Sequence, residues 1–516
     1  TLAKHLRNQH TLAIIDYRRG DVRKRQGRLD ETMAAYQQAI DGIEALRGAT
    51  EAEEIKIGLL GTMSIAVVST QQVYEAMVLL CLELDRPAEA FAYVERARSR
   101  AFLDLLADKS PELYDAFAQP VATLAEVQAT LPVGALLIEY YTTGVLPRGE
   151  SLINQLPPEN TRLREHLALP PHTLIFAVTR DRFEVYHAQL DPNMLRPQQG
   201  DPNPGRRLLR ERLLAQLYES LIAPVAPLLR GRELLYLIPH GPLHYVPFLA
   251  LRPAAGPPLL QAGGPAVALA PSATVLLRNC LGRPPSSAVG MLALGYNDPE
   301  GDPLRYAEAE ARHIARLLGG AALTGPAPKR DALIVQGGGA RWLHFAGHAI
   351  YHPRDPLASE LRLGAGEVFS ARALIGELDL DADLVTLSAC TSGVSQVVAG
   401  DELLGLQRAF LYAGARAVLC TLWEAADFVA LLLMDRFYAG LRRGQPPAAS
   451  LRDAQIAVRD MTGRDLAAAL DRWRADDPEF IAALGELPNI TPDLLDTPLY
   501  ADPLWWAPFM LFGRAD

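Results

Sequence analysis

Two hydrophobic runs end on side chains capable of covalent chemistry: LHFAGHA (343–349) carries His348, and VTLSAC (385–390) ends on Cys390, 42 residues beyond that histidine. A buried strand delivers whatever follows it to the edge of a sheet, so two such strands present an imidazole and a thiol at one rim. The pair suits acyl transfer. A thiolate attacks a carbonyl to give a thioester, which splits one difficult hydrolysis into two easier steps, and the imidazole protonates the departing amine and then activates water. A free thiol with a pKa near ~8.5 is only a few per cent ionised at neutral pH, so Cys390 needs a neighbouring imidazole or the turn beginning at Thr391 to raise its thiolate fraction.

Blander readings exist for the same residues. Cys390 taken alone reads as an inert thiol buried at a strand end. His344, His348 and His352 recur every four residues, which on one helix would align three imidazoles as a metal site. Phe345-Ala346-Gly347 and Pro353 argue against a continuous helix, and the acid of HExxH is absent, so His344 reads as packing or as support for the pair. Cys420 and Cys81 read as core. The four cysteines, at 81, 280, 390 and 420, show no CxxC spacing, which argues against a zinc ribbon or disulfide framework and fits a reducing, cytoplasmic compartment. Gly337-Gly338-Gly339 lacks GxxxxGK and reads as a turn, not a phosphate loop. Trp342, Trp423, Trp505 and Trp506 read as packing, Trp423 also as a pocket wall.

A chain of 516 residues with 49% hydrophobic content has room for about three domains with real cores. The net charge of −10 and the lack of a sustained Lys/Arg run predict no nucleic acid and no membrane surface as partner. No apolar stretch reaches the roughly 18 residues needed to span a bilayer. The start, TLAKHLRNQH, has neither the apolar core of a signal peptide nor an initial Met, so more sequence is expected upstream.

From 11 to 107 apolar residues recur at helical spacing, and two helical hairpins stand out. Gly20, Tyr36 and Ala39 flank a turn at 27–30; Cys81, Ala90, Val94 and Ala97 flank a turn at 85–87. Both resemble tetratricopeptide (TPR) units, whose small residues let antiparallel helices approach closely, although alanines 39 and 97 are not at the usual repeat interval and a longer helix over 51–84 would intervene. An ordinary helical bundle is the alternative. Strands follow at 135–142, 173–179 and 183–188, a loop at 191–205, a helix over 206–229 and a strand ELLYLIP. From 286 strands and helices alternate, including helices over 305–319, 402–413, 427–441 and 447–461, as parallel βαβ units require. This divides the chain into 1–125, a helical TPR-like interaction domain; 126–285, an α/β half; and 286–516, the half carrying the His/Cys pair.

HGPLHYVPFLAL (240–251), LHFAGHA, LSACTSG (387–393), GDELLGLQRAFLYAGARAVLCTLW (400–423) and WWAPFML (505–511) resemble, in order, the CHAT family of caspase-like peptidases related to separase and caspases. The resemblance covers about 270 residues. It implies an α/β caspase-like sheet flanked by helices, a non-catalytic pseudo-protease half at 126–285, and a cysteine endopeptidase working with His348 and Cys390 without a cofactor. By analogy with caspases the backbone N–H groups of Ala349 and Cys390 form the oxyanion hole; alanine stands where caspase-type sites usually have glycine. In separase-like relatives an acid after the LW segment receives arginine, which makes Asp427 a specificity-pocket residue and Asp401 a second candidate, although each also reads as a helix N-cap. The expected partners are a protein substrate and a protein regulator bound through the helical N-terminus, in bacterial defence or programmed cell death. The rival reading is a catalytically silent scaffold built on the same fold.

Overall fold

The computed structural model describes residues 2–48, 70–107, 120–145, 169–197, 201, 203–298, 304–350, 352, 356–390, 397–398, 402–403, 405–485 and 487–516. Two helical hairpins open the chain: α1 (Leu2–Arg25) with α2 (Leu29–Gly48), and α3 (Thr70–Glu83) with α4 (Pro87–Ala107). The turns fall where the sequence puts them, with left-handed backbone at Gly27 (φ 74) and Asp85 (φ 55). The part of the longer predicted helix that covers 51–69 lies outside the described residues.

Close approach at the first hairpin depends on Gly20. A Cβ there would sit 2.5 Å from the Tyr36 ring. The ring cannot easily retreat, because it stacks on Tyr17 at 5.3 Å and its hydroxyl donates to Asp21 at 2.7 Å. Glycine to alanine inside a helix ordinarily gains up to about 1 kcal/mol. Here the sign should reverse: Gly20→Ala is expected to lower the melting temperature through overpacking of about 1–3 kcal/mol, measurable by calorimetry.

The strands are β1 (Ala135–Thr143), β2 (His172–Val178), β3 (Phe183–Ala188), β4 (Leu234–Ile238), β5 (Ala266–Leu269), β6 (Met291–Gly295), β7 (Ala321–Thr324), β8 (Trp342–Ile350), β9 (Glu360–Arg362), β10 (Val368–Ser370), β11 (Leu384–Cys390), β12 (Val397–Val398), β13 (Glu402–Leu403), β14 (Ala417–Thr421) and β15 (Phe509–Gly513). All but β12 and β13, which pair with each other, form one mixed 13-stranded sheet in the order β10-β9-β8-β11-β14-β15-β5-β4-β1-β2-β3, with β6 and β7 beside β8. β7, β6, β8, β11 and β14 are mutually parallel, and β15 runs antiparallel to β14 yet parallel to β5. The last strand therefore joins two oppositely directed halves. AVLCT in β14 is apolar and buried throughout, as a parallel strand covered on both faces must be.

The helices used below are α5 (Glu211–Leu221), α6 (Ala307–Leu318), α7 (Leu406–Tyr412), α8 (Asp427–Arg442), α9 (Pro447–Arg459) and α10 (Gly463–Asp476). The expected fold class, an α/β sheet flanked by helices and preceded by TPR-like helices, is the one observed. Two predicted helices are shorter than expected. The one over 206–229 contracts to α5 and gives way to short turns, because Pro224 and Pro227 remove backbone donors. The one over 402–413 contracts to α7, since Glu402 and Leu403 pair with Val397 and Val398.

The α4 helix is locked onto the α/β half by buried charges. Glu95 accepts from the backbone N–H groups of Ala273 (3.0 Å) and Thr274 (2.6 Å). Arg98 pairs with Glu139 of β1 at 3.0 Å, both at most 2% exposed, and donates to the carbonyls of Pro239 (2.9 Å), Pro271 (3.1 Å) and Tyr140. These bonds satisfy groups that burial would otherwise leave costly.

Candidate active site

The parallel ladder between β8 and β11 runs without a slip from Leu384↔Trp342 to Cys390↔His348. Adjacent strands lie about 4.8 Å apart, so this register makes Cys390 and His348 nearest cross-strand neighbours at the carboxyl edge of the parallel half. His348 is half-buried, and its Nε2 is shielded from solvent with no hydrogen-bond partner among the described residues. A shielded nitrogen left unpaired is costly, which marks His348 as a candidate functional group.

Four residues back along β8, on the same face, His344 is fully buried. Its Nε2 lies 3.0 Å from Glu310 of α6, its Nδ1 lies 3.1 Å from the Tyr438 hydroxyl of α8, and Tyr438 donates to Thr386 of β11 at 2.7 Å. Four elements thus converge behind His348. The approach of α6 is set by Gly295 at the end of β6, where a Cβ would stand 2.7 Å from that of Ala311 and 2.8 Å from the Ala307 carbonyl. His344, His348 and His352 share no helix: the first two lie on a strand and His352 lies past its end.

A small recess opens beside the pair at the ends of three parallel strands, lined by Ala346, Ser388, Thr421, Glu310 and Asp427 among others. Asp427 begins α8 but does not cap it; Ala426 holds the cap position and makes no side-chain cap bond. The Asp427 carboxylate instead accepts from the Tyr306 N–H at 3.0 Å. Burial pushes its pKa up to about 6, the negative charge of Glu310 adds to the rise, and the N–H groups of Tyr306 and Arg305 oppose it. The N-cap alternative therefore fails for Asp427.

A sequence pattern for the CHAT domain matches residues 211–514, more than half of the chain. The chain belongs to the CHAT-domain family. Tetratricopeptide repeat protein 28 of mouse is 29% identical over 306 residues, covering 48% of this chain and 12% of that protein. The human protein of the same name is 26% identical over 313 residues, covering 51% of this chain and 12% of that protein. The chain thus spans about an eighth of the length of these curated relatives. Among solved structures, gingipain R, an Arg-specific cysteine proteinase, aligns over 59% of this chain and 66% of its own with 10% identity and a TM-score of 0.32. The Saccharomyces cerevisiae separase–securin complex aligns over 94% of this chain and 38% of its own with 9% identity and a TM-score of 0.48.

Cys280 and Cys420 are fully buried, as is Cys81 in the helical region, and burial pushes the pKa of Cys81 and Cys280 up to about 12. Ala349 is buried in β8 and pairs in register with Leu361 of β9. Trp423 proves to be core rather than a wall of the recess: it packs on Gly205 and donates its indole N–H to the Leu504 carbonyl at 3.1 Å. Asp401 lies outside the described residues. Glu310 and Tyr438 are the functional candidates that sequence reasoning missed. Glu310 was findable in principle, as an acid on the apolar face of α6 beside Ala311 and Ile314.

Among the described residues no helix is long and apolar enough to cross a membrane.

Proposed function

We propose that this chain is a cysteine endopeptidase in which Cys390 is the nucleophile and His348 the acid–base partner. The observation that carries the reading is the β8/β11 register, which makes a thiol and an imidazole cross-strand neighbours at the strand ends. Thiolate attack would form the thioester, His348 would give its proton to the leaving amine, and water activated by His348 would release the acyl group. Glu310 and Tyr438 act through His344 and the strand, as positioning residues. For the oxyanion we favour the backbone N–H groups of Ala349 and Cys390. The Ala346 carbonyl accepts from Tyr296 on the β6 side at 2.9 Å, so strand alternation turns the Ala349 N–H, three residues on, toward the β11 side, where Cys390 ends its strand.

Asp427 suits the role of selecting an arginine or lysine before the cut, with Asp401 as a second acid. Only the carboxylate form attracts a guanidinium. With a pKa raised to about 6, Asp427 loses that charge as the pH falls below 6. For peptides with Arg before the cut, kcat/KM should fall about tenfold per pH unit below 6 more steeply than for peptides with Ala there. Asp427→Asn should remove the difference while sparing the reactivity of Cys390. Superimposable profiles would remove Asp427 from the pocket. A protein substrate and a protein regulator are the partners this reading requires. The TPR-like hairpins are the natural seat of the regulator, since α4 is bonded into the sheet. The three free, buried thiols Cys81, Cys280 and Cys420 fit a reducing cytoplasm. Regulated cleavage in bacterial defence or programmed cell death is the role we assign.

Cleavage of a peptide library by the purified chain, alone and with candidate regulators, tests the reading directly. A silent scaffold would give no new peptide termini in any state and no selective alkylation of Cys390.

A further inference from the structure

A cavity lies away from the His348–Cys390 edge, in the outer helical layer. It measures about 690 Å³ and is walled by α6, α8, α9 and α10. That is the size of a small-molecule site. Nothing in the proposed peptidase chemistry uses it.

Its charges are unevenly matched. The buried acids already have partners: Asp435 lies 2.9 Å from His313 Nε2 and 3.5 Å from Arg472, and Asp477 lies 3.0 Å from Arg316 and accepts from the Phe480 N–H at 3.0 Å. At the rim, Asp453 pairs with Arg452 at 2.9 Å. The arginines of α8 and its end do not. Arg436 and Arg442 have no ion pair or hydrogen bond among the described residues, and Arg443 bonds only to the Gln445 amide, at 3.1 Å. Burial, and after it the nearby Arg472, hold the Arg436 guanidinium below its ordinary pKa, so this charge sits where the chain alone does not favour it. Trp473 also lines the cavity. It is 2% exposed and its indole N–H has no hydrogen-bond partner among the described residues. Asp476 adds one exposed carboxylate to the lining, but Arg436, Arg442, Arg443 and the Trp473 N–H outnumber it. What the walls leave unmet is mainly donors and positive charge.

We propose that this cavity binds a small ligand bearing a di- or triphosphate group, with Arg436, Arg442 and Arg443 as its charge partners and the Trp473 N–H as a further donor. Guanidinium groups suit phosphate because their forked donors engage two oxygens at once. Phosphate of this kind occurs free or on a nucleotide, and the two sources share the recognition chemistry. The position gives such a ligand a route to the active edge. On α6, His313 of the cavity follows Glu310 by one turn, and on α8, Tyr438 follows Asp435 by one turn; Glu310 and Tyr438 are the groups that hold His344. Occupancy is therefore expected to alter the alkylation rate of Cys390, a consequence that rests on the peptidase reading, whereas the binding itself does not.

Calorimetric titration of the Cys390→Ala chain with inorganic tripolyphosphate and with ATP separates these points. Binding of either is expected, with Kd rising at least tenfold in Arg436→Met/Arg442→Met and rising again with salt. Equal affinity for both ligands assigns the site to phosphate alone; tighter ATP binding assigns a nucleotide. Arg436→Met without ligand should melt higher than the parent, because it removes a half-buried guanidinium that has no ion pair among the described residues. That shift also shows that the variant folds. Absence of heat with both ligands, or unchanged affinity in the folded double variant, would overturn the proposal. Binding with no change in the alkylation of wild-type Cys390 keeps the site and removes only the coupling.

Discussion

Cys390→Ala should reduce peptide hydrolysis by on the order of 10⁴-fold or more, to the level left by substrate binding alone, because the other described thiols, Cys81, Cys280 and Cys420, are fully buried. His348→Ala should cost on the order of 10²–10⁴-fold, since the thiol then loses both its proton acceptor and the donor for the leaving amine. The two losses should not add in the double variant, because the residues act as one unit. Alkylation gives a second readout that does not depend on knowing the substrate. Iodoacetamide should label Cys390 first, and the labelling should slow in His348→Ala. Cys81, Cys280 and Cys420 should stay protected in the folded chain, being fully buried with thiols whose pKa burial raises. Retained cleavage in Cys390→Ala would end the peptidase reading.

Arg98→Met should cost about 3–5 kcal/mol, the largest stability loss we expect from one substitution. The reason is the charge left behind. Glu139 is fully buried in β1, and without Arg98 at 3.0 Å its carboxylate has lost its counter-ion, while the carbonyls of Pro239 and Pro271 lose a donor. Pairing the change with Glu139→Met should recover most of the loss, because the buried carboxylate that Arg98 neutralises is then gone too. By contrast Arg464→Ala, which breaks an ion pair whose side chains are 66% and 83% exposed, should change stability by less than about 1 kcal/mol. Thermal melts of the three variants, with limited proteolysis to see whether α4 detaches first, would check this. An Arg98→Met chain as stable as the parent would show that the buried pair is dispensable.

Reading the sequence went furthest where structure is locally encoded. The strands carrying His348 and Cys390, the turns at Gly27 and Asp85, and α6, α8 and α9 follow from apolar period and turn residues within a short window. It overran where one residue cuts an otherwise good pattern. Pro224 and Pro227 end a helix that its apolar spacing would have carried to 229. Asp427 illustrates a different failure: its place before an amphipathic helix fits an N-cap, but the Tyr306 N–H, 121 residues away, takes its carboxylate.

By itself, then, the sequence determined which residues could do chemistry, that strands would deliver them to a sheet edge, and that helical hairpins precede the sheet, because side-chain period and backbone preference are properties of neighbours along the chain. Only the tertiary structure decided that Cys390 and His348 share a register, that Glu310 and Tyr438 enclose His344, and that unmatched arginines face a cavity. Those depend on which strands pair and on contacts between residues as far apart as His344 and Tyr438, 94 positions, where burial rather than local preference sets the energy of every charge.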